Sequence, residues 1–283
     1  MKRDDLDRTN ITNRQISKSK CAHLHANPHF LPLLSASFKR LFSLSLLLIS
    51  YLSNGQDKAP IVTDRPTQTP ASAIMPVGKF LIETGFIREF TNSQLDTYTL
   101  PNVLIRYGVN EYFEVRLQQD YLFADLPEGD ESGFNSAKIG FKIKLANEIG
   151  WLPQMSFLGN ITTTTGQDPF KNDVISSDFS LVFSNTLLRK FSLGYSIGLI
   201  NGEFGFDTSL YTLVLGYPIS DKLSAYVEPY GFGVFDSGAN DLRFNSGLVY
   251  LAKDHLQFDA SMGAGLSAIA PNYFIGLGAA VGF

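Results

Sequence analysis

Residues 113–121 read Phe113-Glu114-Val115-Arg116-Leu117-Gln118-Gln119-Asp120-Tyr121. Taken two apart, they separate into Phe113, Val115, Leu117, Gln119 and Tyr121 on one side and Glu114, Arg116, Gln118 and Asp120 on the other. A period of two marks a strand whose faces meet different surroundings. The same alternation recurs in Lys138-Ile139-Gly140-Phe141-Lys142-Ile143-Lys144-Leu145 and in Leu256-Gln257-Phe258-Asp259-Ala260-Ser261. It runs to the end of the chain, with Tyr273, Ile275, Leu277, Ala279, Val281 and Phe283 on one face and the glycine-rich set Phe274, Gly276, Gly278, Ala280 and Gly282 on the other.

Twelve such runs follow residue 78, near 79–90, 97–107, 112–122, 136–145, 154–164, 176–187, 191–200, 208–217, 222–232, 240–250, 255–264 and 273–283. Most exceed the five or six residues of a soluble strand and suit a tilted strand crossing a bilayer. Connections alternate between short ones, such as 108–111 and 188–190, and long ones, such as the acidic 122–135 and 165–176. Transmembrane barrels have short periplasmic turns and longer outer loops. In lipid every backbone polar group must be bonded internally, so a sheet there closes on itself. A soluble sandwich would also alternate. Three features favour a barrel: strand length, inward glycines on the last strand, and a terminal aromatic strand, Tyr273 to Phe283. An apolar strand end invites aggregation in water, whereas barrel-assembly machinery reads such a strand. The expected fold is an all-β, antiparallel transmembrane barrel of twelve strands.

The 283 residues are 44% hydrophobic and 18% charged, with 35 Phe and Tyr, which excludes a disordered chain. Upstream, Phe38-Lys39-Arg40 precedes an apolar core over 41–52 and the small residues Ser53, Asn54 and Gly55. This reads as an export signal cleaved before Gln56, with a retained anchor as the alternative. Domains are then expected at 1–55 (extension and signal), 56–77 (a Pro/Thr-rich extension) and 78–283 (the barrel). The exported part has 15 Lys+Arg and 24 Asp+Glu, a poor match for nucleic acid. Cys21 and three of the four histidines lie in the leader, so disulfides and Cys/His zinc sites are excluded downstream.

Alternation turns Glu83, Glu89, Arg106, Glu114, Arg116, Asp120, Lys138, Lys142, Glu228, Arg243 and Asp259 toward the lumen. Such charges can select solutes or can pair across strands and fill a narrow interior. Mixed signs argue against strong ion selectivity. Asp64, Arg65 and Pro66 are candidates for a plug entering from the periplasmic side, or for a tail with a local turn. Tyrosines near run ends, among them Tyr107, Tyr217 and Tyr250, suit interfacial girdles. No catalytic set, metal site or cofactor motif is read. His255, in the turn Lys253-Asp254-His255, is poorly placed for a membrane-embedded hydrolase, the remote alternative.

Several stretches resemble an outer-membrane family labelled "putative MetA-pathway of phenol degradation". They are Thr63-Asp64-Arg65-Pro66 with Gly78-Lys79-Phe80-Leu81-Ile82-Glu83-Thr84-Gly85-Phe86, then Leu100-Pro101-Asn102-Val103-Leu104-Ile105-Arg106-Tyr107-Gly108, Val227-Glu228-Pro229-Tyr230-Gly231 and Leu256-Gln257-Phe258-Asp259-Ala260-Ser261. The resemblance implies a Gram-negative outer-membrane barrel that takes up small, often hydrophobic or aromatic solutes, with lipid and assembly machinery as further partners. A structural or adhesive barrel is the alternative. The oligomeric state is left open.

Overall fold

The computed structural model describes residues 60–91, 96–125, 129–187, 190–202 and 205–283. The expected leader, its cleavage point and residues 56–59 lie outside them. Among the described residues the regular structure is all strand: β1 (Phe80–Phe90), β2 (Asp96–Asn110), β3 (Phe113–Asp125), β4 (Glu131–Phe134), β5 (Lys138–Ala146), β6 (Gln154–Thr162), β7 (Ser176–Leu187), β8 (Phe191–Gly202), β9 (Gly205–Pro218), β10 (Leu223–Val234), β11 (Asn240–Lys253), β12 (Leu256–Gly265) and β13 (Tyr273–Gly282). All pairings are antiparallel, and β13 pairs with β1 and β2 with β3, so the wall closes on itself; β4 pairs with β3 alone. At the seam Phe283 N donates to Phe80 O at 2.9 Å, which uses the last residue to complete the ladder.

The twelve expected runs are found, with one correction. The expected long connection 122–135 is largely strand. β3 continues to Asp125 and pairs with β4, Leu122 opposite Gly133. Below, β3 pairs with β5, Gln118 opposite Lys138. The two registers differ by one residue, so β4 and β5 are one wall strand broken by a bulge at 135–137. Asn135 sets the bulge: its Oδ1 accepts from Asp120 N (3.1 Å) and Gln119 Nε2 (3.0 Å). The acidic residues Asp125, Asp130 and Glu131 suit a hairpin rising into water, and their polarity is what made this stretch read as loop.

Burial is inverted relative to a water-soluble protein. The largest fully buried side chains include Arg106, Lys142, Glu83, Glu114 and Glu228, whereas Ile197 and Leu277 are 61% and 60% exposed. Along β3 the charged Glu114 is buried and its neighbour Val115 exposed, as the period of two requires. An apolar outer wall around a polar interior is the arrangement a bilayer imposes. The barrel has two ends. One carries the tight turns, such as Asp254–His255, and the chain end; the other carries the longer connections. At the turn end residues 60–77 lead into β1 through Gly78, whose φ of 70° favours glycine.

Candidate functional site

Residues 60–77 lie inside the barrel. Proline and threonine deny this stretch a strand ladder, so its backbone needs other partners. The wall supplies them. Ile61 N donates to Asp254 O at the turn end (2.8 Å), and Ile61 packs on Met75, Leu81 and Ala280. The chain then crosses the lumen and returns, with Val77 bridging Gly108 on β2.

Three fully buried glutamates hold its main chain. Glu83 accepts from Asp64 N (3.0 Å) and Arg65 N (2.8 Å). Across the lumen Glu228 accepts from Gln68 N (2.9 Å), from Thr69 N (2.6 Å) and from Thr69 Oγ1 (2.7 Å). Glu114 accepts from Met75 N at 2.8 Å. Cations hold the carbonyls: Arg106 donates to Val62 O (2.9 Å) and Ala73 O (3.3 Å), and Lys142 to Ala71 O (2.7 Å). Ser72 Oγ meets Ser184 Oγ of β7 at 2.6 Å. Backbone groups cradling carboxylates are a strong, charge-assisted arrangement.

Asp64 sits at the centre. Its carboxylate pairs with Arg116, with Lys142 Nζ (3.3 Å) and with Arg106 Nη1 (3.4 Å), and accepts from Ala71 N (2.9 Å). Burial alone would raise its pKa. The three cations outweigh that and hold it well below its ordinary 3.8. Arg65 lies along one cross-strand row of the wall, Asp259–Gly278–Gly85–Asn102. It bonds Asp259 Oδ1 (3.1 Å) at one end of the row and Asn102 Oδ1 (3.3 Å) at the other. A Cβ at Gly85 would stand 2.5 Å from its guanidinium carbon, and one at Gly278 would overlap it. The inward glycines therefore make room for a specific side chain. Pro66 O accepts from Asn245 Nδ2 at 3.4 Å.

The segment separates two cavities. The outer one, about 440 Å³, opens toward the longer loops, with Asp64, Arg65 and Pro66 in its floor. Charged and amide groups from β2 to β7 line one side, among them Asp120 and Lys138. Apolar side chains such as Ile200, Leu210 and Phe232 line part of the other, beside Arg243 and Asn245, and Leu104 and Leu158 interrupt the charged side. The inner one, about 430 Å³, faces the turn end and has uncharged walls that include Ser192, Ser224 and Tyr226.

The predicted lumen residues thus sort into two tiers. Glu83, Arg106, Glu114, Arg116, Lys142, Glu228 and Asp259 contact the segment. Glu89, Asp120, Lys138 and Arg243 surround the outer cavity, where Arg243 pairs with Glu89 (3.0 Å) and Lys138 with Asp178 (3.1 Å). Asp120 is held by amides, Asn102 Nδ2 (2.7 Å) and Asn135 Nδ2 (3.2 Å). Asn102, Ser184, Asn245 and Gln257 were missed. They share the inward phase of charged neighbours, so alternation could have found them. His255 sits in its turn at the end remote from the outer cavity. Among the described residues no three His, Cys, Asp or Glu side chains converge as metal ligands.

Apolar wall, polar interior and full closure define a transmembrane β-barrel. The chain belongs to the family described as "Putative MetA-pathway of phenol degradation", whose profile matches residues 63–283. Its fold is similar to that of the COG4313 outer membrane channel from Pseudomonas putida F1, at 13% identity and TM-score 0.62 over 77% of this chain and 100% of that one. It is also similar to that of the KdgM porin, at 10% identity and TM-score 0.51 over 71% and 99%. No curated protein sequence matches the chain at a significant level.

Proposed function

We propose that the protein is a passive outer-membrane channel for small solutes, held shut in this state by residues 60–77. The observation that carries the reading is the segment itself, bonded to opposite walls with a cavity on either side. A barrel with a purely structural role has no need of two chambers divided by a strap of polar contacts. Solutes would enter from the loop end, pass when the segment yields, and leave at the turn end, with no bond made or broken. The mixed polar and apolar lining of the outer cavity supports solutes with an apolar or aromatic body and a polar group. Glu89, Asp120, Lys138 and Arg243 would tune entry, and their mixed signs support weak ion preference. The outer-membrane relative and the family support a Gram-negative outer membrane as the location, reached after signal cleavage near Gln56. The strand from Tyr273 to Phe283 would be the part that assembly machinery reads.

A cysteine pair tests this. Ser72→Cys with Ser184→Cys would tie the segment to β7, and residues 56–283 contain no other thiol. In planar bilayers the reduced protein should open in discrete steps and the oxidised one should stay silent, with reductant restoring the steps. Equal conductance in both states would sink the plug. Silence in both would favour a structural or adhesive barrel.

A further inference from the structure

The wall around Asp64 is built for a carboxylate. Arg106 and Arg116 stand directly opposite each other on β2 and β3. Like charges in that position repel. Glu114 bonds both, Arg106 at 2.8 Å and Arg116 at 3.2 Å, and Glu83 reaches Arg106 at 3.2 Å. Two wall carboxylates therefore face three cations, and Asp64 supplies the third negative charge. Lys142 depends on the segment still more. Its hydrogen bonds go to Asp64 Oδ1 and Ala71 O, and both belong to the strap. When residues 60–77 withdraw, Lys142 loses both of these partners and is left beside Glu114, which stands directly opposite it and is shared with Arg106 and Arg116. This local cluster then carries one excess positive charge, while Glu228 and Asp259, elsewhere on the wall, lose strap partners of their own. Water can hydrate that excess charge in the opened lumen, and a small solute carboxylate can take the charge-assisted bonds that Asp64 gives up.

The place can be reached from outside. Asp64 and Arg116 both line the outer cavity, so an arriving solute meets Arg116 before the strap moves. Two apolar side chains of the same cavity flank the cations. Leu158 is directly opposite Lys142 in the β5–β6 register, and Leu104 lies two residues from Arg106.

We infer that the channel carries a site for small monocarboxylates with an apolar body, whose carboxylate replaces that of Asp64 on Arg116 and Lys142 and so favours the open state. Asp64 is then a tethered mimic of the solute. A ligand shifts such an equilibrium only through its preference for one state, and here the preference is built in, because the site is free only when the strap has moved. The inference rests on the plug reading and extends it to a solute class.

The test is single-channel recording on the exported chain, with benzoate as the probe and benzamide as its uncharged counterpart, added on the loop side. In the unaltered protein benzoate should raise opening frequency saturably and benzamide should not. Lys142→Gln removes a partner of the strap and of the solute alike, so it should open more often without solute, while the excess of the benzoate response over the benzamide response shrinks. Asp64→Asn should open more often without any solute and respond to about tenfold less benzoate, since its competitor has lost its charge. Heat-modifiable gel migration confirms that each variant is a closed barrel, and the benzoate–benzamide comparison needs no variant. If Asp64→Asn opens no more often than the parent, the plug reading fails. If it opens readily while benzoate and benzamide act alike in both proteins, the carboxylate site fails and the plug stands.

Discussion

Arg65 shows how one residue can depend on the absence of two others. Its guanidinium lies flat on the wall because Gly85 and Gly278 leave the space. A branched side chain at 278 meets the far end of a flexible arginine, not backbone, so the arginine should give way while the barrel holds. Gly278→Val is expected to free Arg65 from Asp259, raise opening frequency and leave heat-modifiable migration unchanged; loss of the folded band would contradict this account. Gly108 differs, since a Cβ there would run into the carbonyls of Met75 and Pro76. Asp64 provides a pH signature. Its pKa in the docked state lies below the ordinary 3.8, so its contribution to docking is complete above that value. That contribution fades only as pH falls toward the depressed value. Opening frequency should rise as pH falls below 3.8, with a smaller rise in that range in Asp64→Asn. A rise centred near neutral pH would show that Asp64 is not the latch.

At the scale of elements, the wall charges are set by strand register. Arg106 on β2, Glu114 on β3 and Glu83 on β1 are all fully buried, and Arg106 pairs with both glutamates. Removing one member of a buried ion cluster leaves the others uncompensated, a loss of about 3–5 kcal/mol. Arg106→Ala should therefore lower the urea midpoint of the folded barrel by a corresponding amount, while Arg88→Ala, on an outward-facing pair with Asp96, should cost much less. The last strand closes the molecule through Phe283 and Phe80. Deleting Phe283 removes its two backbone bonds to Phe80 at the end of the β1–β13 seam, and the terminal ring. The expected outcome is a lower yield of heat-modifiable barrel in outer-membrane fractions, and an unchanged yield would argue against a role for this strand end in assembly.

For the whole molecule, alternation made most of the architecture legible. The faces of β3, β5, β12 and β13 follow from the residue types at odd and even positions, because a pleated strand sends successive side chains to opposite sides. Every charged lumen candidate lies inside for that reason. The bulge at 135–137 was hidden, because Glu131-Ser132-Gly133-Phe134 is too short to display an alternation of its own, and hydrogen bonds of Asn135 with Gln119 and Asp120 decide the shift.

What the sequence determined alone is the closed, inside-out sheet: twelve long amphipathic runs admit few other burials of their apolar faces once they are in lipid. Only the tertiary structure decided that residues 60–77 cross the lumen and which charges receive them. Local propensity in Thr63-Asp64-Arg65-Pro66 says merely that it is neither strand nor helix. Its conformation is imposed by Glu83, Glu114, Glu228, Arg106 and Lys142. These residues lie far apart in the chain, and closure of the barrel brings them to one level of the lumen.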